Sequence, residues 1–241
     1  MINKDSSIPL YIQIKDVWKE QIERNLLKPG DQIPTENELC KLYDVSRITV
    51  KQAINSLVND GYLVRSRGKG TYVKPPKLEQ NLAGVTSFTE DMIRRGLKPG
   101  ATLLNTEVET AEPDIAARLQ LGDGARVIKV QRLRLADGQP MAIETIWLPY
   151  HLCPTLLQED LTTSIYQILK NQYKIVFNRA VQYLEASKAE KREAKLLQIE
   201  PGDSVLEMER QSYMKDNVPV EFTQSVYRGD KYKFRVELSG Q

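Results

Sequence analysis

The sequence predicts an α+β protein in two units: a small helical unit closed by a hairpin, then a larger unit built on a mixed, mostly antiparallel sheet with helices. Three observations carry this. Before residue 60, apolar residues recur at helical spacing in three stretches and then give way to strand-like alternation. Lys74-Pro75-Pro76-Lys77 removes two backbone donors and favours extended chain, as a linker does. Beyond it, strand-like and helix-like stretches alternate, separated by capping and turn residues. The resulting boundaries are 1–74, a linker over 75–81, and 82–241, and 241 residues suffice for two cores.

In the first unit, Leu10, Ile14, Val17, Trp18 and Ile22 define one amphipathic helix after Pro9, stopped by Leu27-Lys28-Pro29-Gly30. Thr35-Glu36-Asn37-Glu38 is a capping box that opens a short helix through Tyr43. Ser46 is placed to cap a third helix, in which Val50, Ile54 and Leu57 recur at helical spacing before Gly61. Tyr62 to Val73 reads as two short strands around a basic, Gly-rich turn. Three helices and a hairpin make a winged helix-turn-helix.

In the second unit, Ser87-Phe88-Thr89-Glu90 is another capping box, opening a helix that ends at Gly96. Strands are expected near 101–110, 126–135, 141–149, 175–186, 204–214 and 218–227, and helices near 113–120, 162–171 and 188–197. The order helix, Gly122-Asp123, strand, Asp137-Gly138-Gln139-Pro140, strand is echoed by helix, Gly202-Asp203, strand, Asp216-Asn217-Val218-Pro219, strand. This favours a duplicated unit over two unrelated hairpins, in an antiparallel sheet covered by helices on one side.

Composition excludes several classes. With 41% hydrophobic and 27% charged residues the chain resembles ordinary globular proteins. No apolar run approaches the ~18 residues of a membrane helix, and no apolar segment follows Met1-Ile2-Asn3-Lys4-Asp5 as in a signal peptide, so a cytoplasmic protein is expected. Cys40 and Cys153 stand far apart, and His151 is the single histidine, on a surface loop; neither a metal site nor a cofactor is expected. Gly-rich phosphate loops, GxSxG and HExxH are missing, which argues against an enzyme. The net charge of +2 hides an uneven split: residues 1–75 carry 12 Lys+Arg against 9 Asp+Glu, and the rest 22 against 23.

Within the third helix, the apolar set leaves Arg47, Thr49, Lys51 and Gln52 for other faces. Arg47, one residue past the cap, is where a recognition helix meets base edges, and Arg donates bidentately to guanine O6 and N7. Thr49 and Lys51 suit phosphates. In the hairpin Arg65, Arg67 and Lys69 alternate, with Gly68 and Gly70 allowing close backbone approach. Leu10-Tyr11-x-Gln13-Ile14, Leu27-Lys28-Pro29-Gly30-Asp31, Ile33-Pro34-Thr35-Glu36, Val45-Ser46-Arg47-x-Thr49-Val50-x-x-Ala53 and Gly68-Lys69-Gly70-Thr71-Tyr72-Val73 together resemble the DNA-binding domain of GntR-family bacterial repressors. The resemblance implies DNA contacts from Arg47 and Gly68, and with Ser46, Thr49, Lys51, Arg67 and Lys69 they make up the expected DNA face. Asn37 stands where the family usually has a base-contacting Arg.

On the strand at 126–135, Arg132 and Arg134 share one face with Ile128 and Val130, and two like charges on a half-buried face call for an anion. A three-residue loop, Asp137 to Gln139, would pair Ala136 with Pro140 and set Glu144 across from Arg132, as an ion pair or as a ligand group. Phe88-Thr89-Glu90-Asp91-Met92, Arg132-Leu133-Arg134-x-x-Asp137-Gly138-x-Pro140, Glu144 and Leu161-x-x-Ser164-Ile165-Tyr166 resemble the UTRA effector domain of the HutC-type branch, which is similar in fold to chorismate lyase. The pattern is nearest to regulators of N-acetylglucosamine use. The resemblance implies a phosphate held by Ser87, Phe88, Thr89, Arg132, Arg134, Ser164 and Tyr166, with Glu144, Glu221 and Tyr227 toward sugar hydroxyls or an amide; Tyr227 reads equally as an aromatic packed in the sheet. The expected protein is a homodimeric repressor on a near-palindromic operator, released by N-acetylglucosamine 6-phosphate or glucosamine 6-phosphate. Alternatives are another effector, such as trehalose 6-phosphate, a urocanate-like acid or a fatty acid, a lyase-like enzyme, or an architectural DNA-binding protein without a ligand.

Overall fold

The computed structural model describes residues 2–66, 68–75, 77–82 and 84–238. The chain divides into two compact units, Met1–Pro76 and Lys77–Gln241. In the first, α1 (Leu10–Glu23), α2 (Glu36–Tyr43) and α3 (Arg47–Asn59) precede the hairpin of β1 (Leu63–Ser66) and β2 (Gly70–Val73). Ile14 and Trp18 of α1, Leu39 of α2, and Val50, Ala53, Ile54 and Leu57 of α3 meet Leu63 and Val73 in one core. Both expected caps form. Thr35 and Glu38 make the reciprocal capping box, and the Thr35 backbone N–H and hydroxyl hold the Glu38 carboxyl below its usual range. The Ser46 hydroxyl oxygen accepts the Thr49 N–H at 3.3 Å and so fixes where α3 begins. Ser46→Ala is expected to cost about 1 kcal/mol of stability in urea denaturation of the intact chain.

The second unit rests on a six-stranded sheet, antiparallel throughout, of β4 (Pro99–Thr110), β5 (Arg126–Ala136), β6 (Gln139–Pro149), β7 (Arg179–Lys188), β8 (Ser204–Tyr213) and β9 (Pro219–Arg228), in the order β4-β5-β6-β9-β8-β7. A separate parallel ribbon joins β3 (Leu78–Asn81) to β10 (Tyr232–Arg235). Residues 78–81, read from the sequence as linker, are therefore a strand. Helices cover both faces of the sheet, not one: α4 (Phe88–Arg94) and α6 (Ile165–Tyr173) pack on one, α5 (Pro113–Arg118) and α7 (Lys191–Leu197) on the other. The reason lies in β6, where Met141–Ile143 and Thr145–Leu148 are buried on consecutive positions, as a strand covered on both faces requires.

The internal repeat is structural. The successions β4-α5-β5-β6 and β7-α7-β8-β9 form the two halves of the sheet, and they meet where β6 pairs β9. There Thr145, five residues after Pro140, lies opposite Gln224, five residues after Pro219, so equivalent positions face each other across a pseudo-twofold axis. Each half also carries a bulge at the same place, Met141 after Pro140 and Val220 after Pro219.

This bulge corrects the expected turn. Asp137 and Gly138 form a two-residue turn, both left-handed at φ 48° and 75°, and pair Ala136 with Gln139. Alone, that register would put Glu144 on the wrong face; the extra residue at Met141 restores Arg132 opposite Glu144. Two boundaries also move: β7 begins at Arg179 because Ile175 packs under α6, and α7 begins at Lys191 because Lys188 still belongs to β7.

Cys153 is fully buried, and burial pushes its thiol up to about 12, while Cys40 is half-buried. Iodoacetamide at neutral pH should modify Cys40 alone in the native chain and both after denaturation, read by mass spectrometry.

Candidate functional site

Two groups of side chains carry the chemistry, one in each unit. In the first, the start of α3 projects Arg47 with 72% of its side chain exposed. Its Nε donates to Glu36 Oε2 at 3.3 Å, and Arg65 of β1 donates to Glu36 Oε1 at 3.5 Å. Asn37, Ser46, Lys51, Gly68 and Lys69 are all exposed, and Gly68 takes the left-handed backbone, φ 73°, that closes the wing turn. The Lys69 carbonyl accepts from Tyr72 Oη at 2.9 Å and Gln32 Nε2 at 3.2 Å, which fixes the wing tip. Thr49 is half-buried, with its hydroxyl 2.9 Å from that of Ser46. Arg67 lies outside the described residues. Glu36 was not anticipated, because an acid in a basic face reads as part of the helix cap.

In the second unit, the ten side chains singled out from the sequence line one cavity: Ser87, Phe88, Thr89, Arg132, Arg134, Glu144, Ser164, Tyr166, Glu221 and Tyr227. Ser87 and Ser164 cap α4 and α6, each accepting from a backbone N–H in its first turn, so two helix starts border the same space. The two arginines differ sharply. Arg132 is spent: it makes four hydrogen bonds, to Glu144 Oε2 at 2.5 and 3.1 Å and to the Leu161 and Thr163 carbonyls at 3.0 Å each. Although burial pushes the Glu144 carboxyl up, the charges of Arg132 and Arg134 leave it below its usual range. Glu144 is thus both the partner of Arg132 and part of the cavity wall.

Arg134 is the unspent cation. It donates to Thr89 Oγ1 at 3.0 Å and stacks 4.6 Å over the Phe88 ring, but its Nε and Nη1 are buried without a partner. Burial lowers its pKa to about 10, outweighing the nearby charge of Glu144 that raises it, the mark of a charge that the fold has desolvated and only partly compensated.

The opposite wall holds a group the sequence reading missed. Arg210 donates to Gln182 Oε1 at 2.8 Å, the Thr86 carbonyl at 3.2 Å and Tyr166 Oη at 3.5 Å. Glu221 accepts from Tyr166 Oη at 2.8 Å and Thr223 Oγ1 at 2.6 Å, and its burial raises its pKa. Burial likewise pushes the Tyr227 hydroxyl up to about 12; its ring packs against Tyr232, so Tyr227 is both a core aromatic and a wall residue. Arg210 is the pseudo-twofold mate of Arg132. Arg132 sits three residues before the Leu135–Pro140 pair, and Arg210 three before Tyr213–Pro219. The repeat, applied residue by residue, would have found it.

The cavity encloses only about 20 Å³, room for about one water. Chemically the cavity combines buried cationic and hydroxyl donors with two carboxylates, Glu144 beside Arg132 and Glu221 beside Tyr166 and Thr223. No described helix is long and apolar enough to cross a membrane.

Residues 10–73 match the bacterial regulatory proteins of the gntR family, and residues 94–233 match the UTRA domain. The chain is 42% identical to the HTH-type transcriptional repressor NagR of Bacillus subtilis (strain 168), over 97% of this chain and 96% of that one. It is 34% identical to the mannosyl-D-glycerate transport/metabolism system repressor MngR of Escherichia coli (strain K12), over 94% of each. Among solved structures, PhnF from Mycobacterium smegmatis superposes with a TM-score of 0.69 at 30% identity, covering 96% of this chain and 99% of that one.

Proposed function

Because this chain belongs to the GntR family of bacterial regulatory proteins and carries a UTRA domain, it is a DNA-binding transcriptional regulator; we propose that it is a homodimeric repressor whose effector is a phosphorylated amino sugar. Its DNA face is Ser46, Arg47, Thr49 and Lys51 of α3, Asn37 of α2, and Arg67, Gly68 and Lys69 of the wing. A dimer presents two such faces to a near-palindromic operator, its recognition helices about 34 Å or one helical turn apart.

One observation carries the effector class: a buried arginine, Arg134, with two unpartnered donors beside two serine-capped helix starts. That combination suits a dianion. Phosphate oxygens would satisfy Nε and Nη1 of Arg134 and accept from the Ser87, Thr89 and Ser164 hydroxyls, while a fatty acid would leave most of these donors unmet. Arg132 and Tyr166 shape this end. Glu144 binds Arg132 through Oε2 only, which leaves Oε1 for a sugar hydroxyl or amide N–H, and Glu221 lines the same cavity. N-acetylglucosamine 6-phosphate and glucosamine 6-phosphate combine these groups.

The test is an electrophoretic shift on the DNA upstream of the protein's own gene, with and without each compound. Release at micromolar to millimolar sugar phosphate, and no release by unphosphorylated N-acetylglucosamine, is the expected result. Shifting the population from 1:99 to 99:1 requires a preference of about 10⁴-fold for one state. A thermal-shift panel of phosphosugars and carboxylic acids separates this effector from others; a panel in which only a carboxylic acid raises the melting temperature overturns the reading.

A further inference from the structure

A carboxylate stands in the middle of the basic face. Glu36, in the first turn of α2, has its side chain three-quarters buried and touches two cations that come from different elements: Arg47 of α3 at 3.3 Å and Arg65 of β1 at 3.5 Å. Electrostatically this is the wrong charge for a surface that meets phosphates, since it subtracts from the attraction that drives association. The cap of α2 does not need it, because Thr35 and Glu38 already complete that capping box between them. What Glu36 does is geometric. It takes Arg47 by Nε, so that among the described residues neither terminal nitrogen, Nη1 or Nη2, of this 72%-exposed side chain has a partner, and the two are available as the parallel fork that matches guanine N7 and O6. Through its second oxygen it ties the same contact to the wing strand, so that helix and wing present their guanidinium groups from one fixed point.

We infer that Glu36 is a positioning residue for operator readout: it orients Arg47, and with it Arg65, and trades general affinity for DNA for discrimination at a guanine. This rests on the reading of α3 as the recognition helix. The two roles an acid could have here predict opposite signs. If Glu36 were only a misplaced charge, its neutralisation would tighten binding to every duplex alike. If it positions Arg47, neutralisation tightens binding to unrelated DNA and weakens binding to the preferred sequence.

The experiment uses the intact protein, a duplex selected by the wild-type chain from a random pool, and an unrelated duplex of equal length, with affinities read by fluorescence anisotropy. Each guanine of the selected duplex is replaced in turn by 7-deazaguanine, which lacks N7. The wild type is expected to lose about tenfold at one guanine in each half-site. Glu36→Gln should bind the unrelated duplex equally or up to a few-fold more tightly, bind the selected duplex about tenfold more weakly, and lose most of its sensitivity to 7-deazaguanine. Circular dichroism melting checks folding; if Glu36→Gln does not fold, Glu36→Asp, too short by one methylene to reach both arginines, carries the same test. A Glu36 variant that tightens both duplexes equally and keeps the wild-type 7-deazaguanine profile overturns the proposal. A wild type indifferent to every 7-deazaguanine overturns it by a different route, through the recognition role of α3 itself.

Discussion

Replacing Arg134 by Met should make the effector-free protein more stable and deaf to its effector, whereas replacing Arg132 by Ala should make it much less stable. The two arginines lie two residues apart on one face of β5, and a reading by charge alone would give them the same fate. Their partners decide otherwise. Arg134 is 2% exposed, and its pKa is lowered to about 10. The folded state therefore holds the proton less tightly than the unfolded chain does, so a folding cost is present at every pH below about 10 and disappears only above it. Arg134→Met removes that cost, and the lost Thr89 bond offsets it in part; a gain of about 1–3 kcal/mol at pH 7 is expected in the melting curve. The same change removes two charge-assisted hydrogen bonds to the phosphate, each worth about 1.5–3 kcal/mol, so effector affinity should fall by at least 100-fold. Arg132→Ala instead strands Glu144 in a buried site and frees two carbonyls, a loss of about 3–5 kcal/mol. Isothermal calorimetry with sugar phosphate, beside thermal melts of both variants, checks the pair. If Arg134→Met melts lower than the wild type and still binds sugar phosphate normally, the anion site lies elsewhere.

Arg47→Ala should erase discrimination between operator and unrelated DNA while leaving the fold and the effector response intact. Its side chain is exposed and its one ion pair, to Glu36, is partly solvated, so little stability is at stake. A bidentate guanine contact is worth about 1–3 kcal/mol, and a twofold dimer makes it twice, so specific affinity should fall by roughly 30-fold to 10⁴-fold. Because the lost contact is to a base, the dependence of affinity on salt should keep its slope. Lys69→Ala is the contrast: loss of a wing phosphate contact lowers affinity for all sequences and reduces the slope by about 0.9 for each contact removed. Titrations between 50 and 200 mM salt on a selected and an unrelated duplex separate the two. Retained discrimination in Arg47→Ala would remove it from the base-reading role.

Much of this organisation was legible in the residues. Every element of the first unit follows from local signals, because caps such as Thr35 with Glu38 and Ser46, and stops such as Gly61, act over a few residues. Of the cavity residues, the paired arginines on one strand face were legible in their spacing, and the rest of the set came from the resemblance to the UTRA domain. The β3–β10 ribbon was not legible: Leu78-Glu79-Gln80-Asn81 is short and polar, and its partner lies some 150 residues away, so no local pattern announces it. Arg210 was missed because it stands alone on its strand, and only the pseudo-twofold relation of the two halves brings it to the same cavity as Arg132.

What the sequence by itself determined is the order of elements, the two units, the duplication within the second, and the residue types proposed to meet DNA and an anion. Tertiary structure decided which of those residues are free to act. Both guanidinium groups of β5 face one cavity, but a bulge at Met141 sets the register that gives Arg132 its carboxylate, and the packing of α6 brings it two carbonyls, leaving Arg134 desolvated and unpaired. Spacing places charges on a face. Whether a charge is already neutralised depends on groups brought together from distant parts of the chain, and burial, which exists only in the folded protein, sets how much the difference is worth.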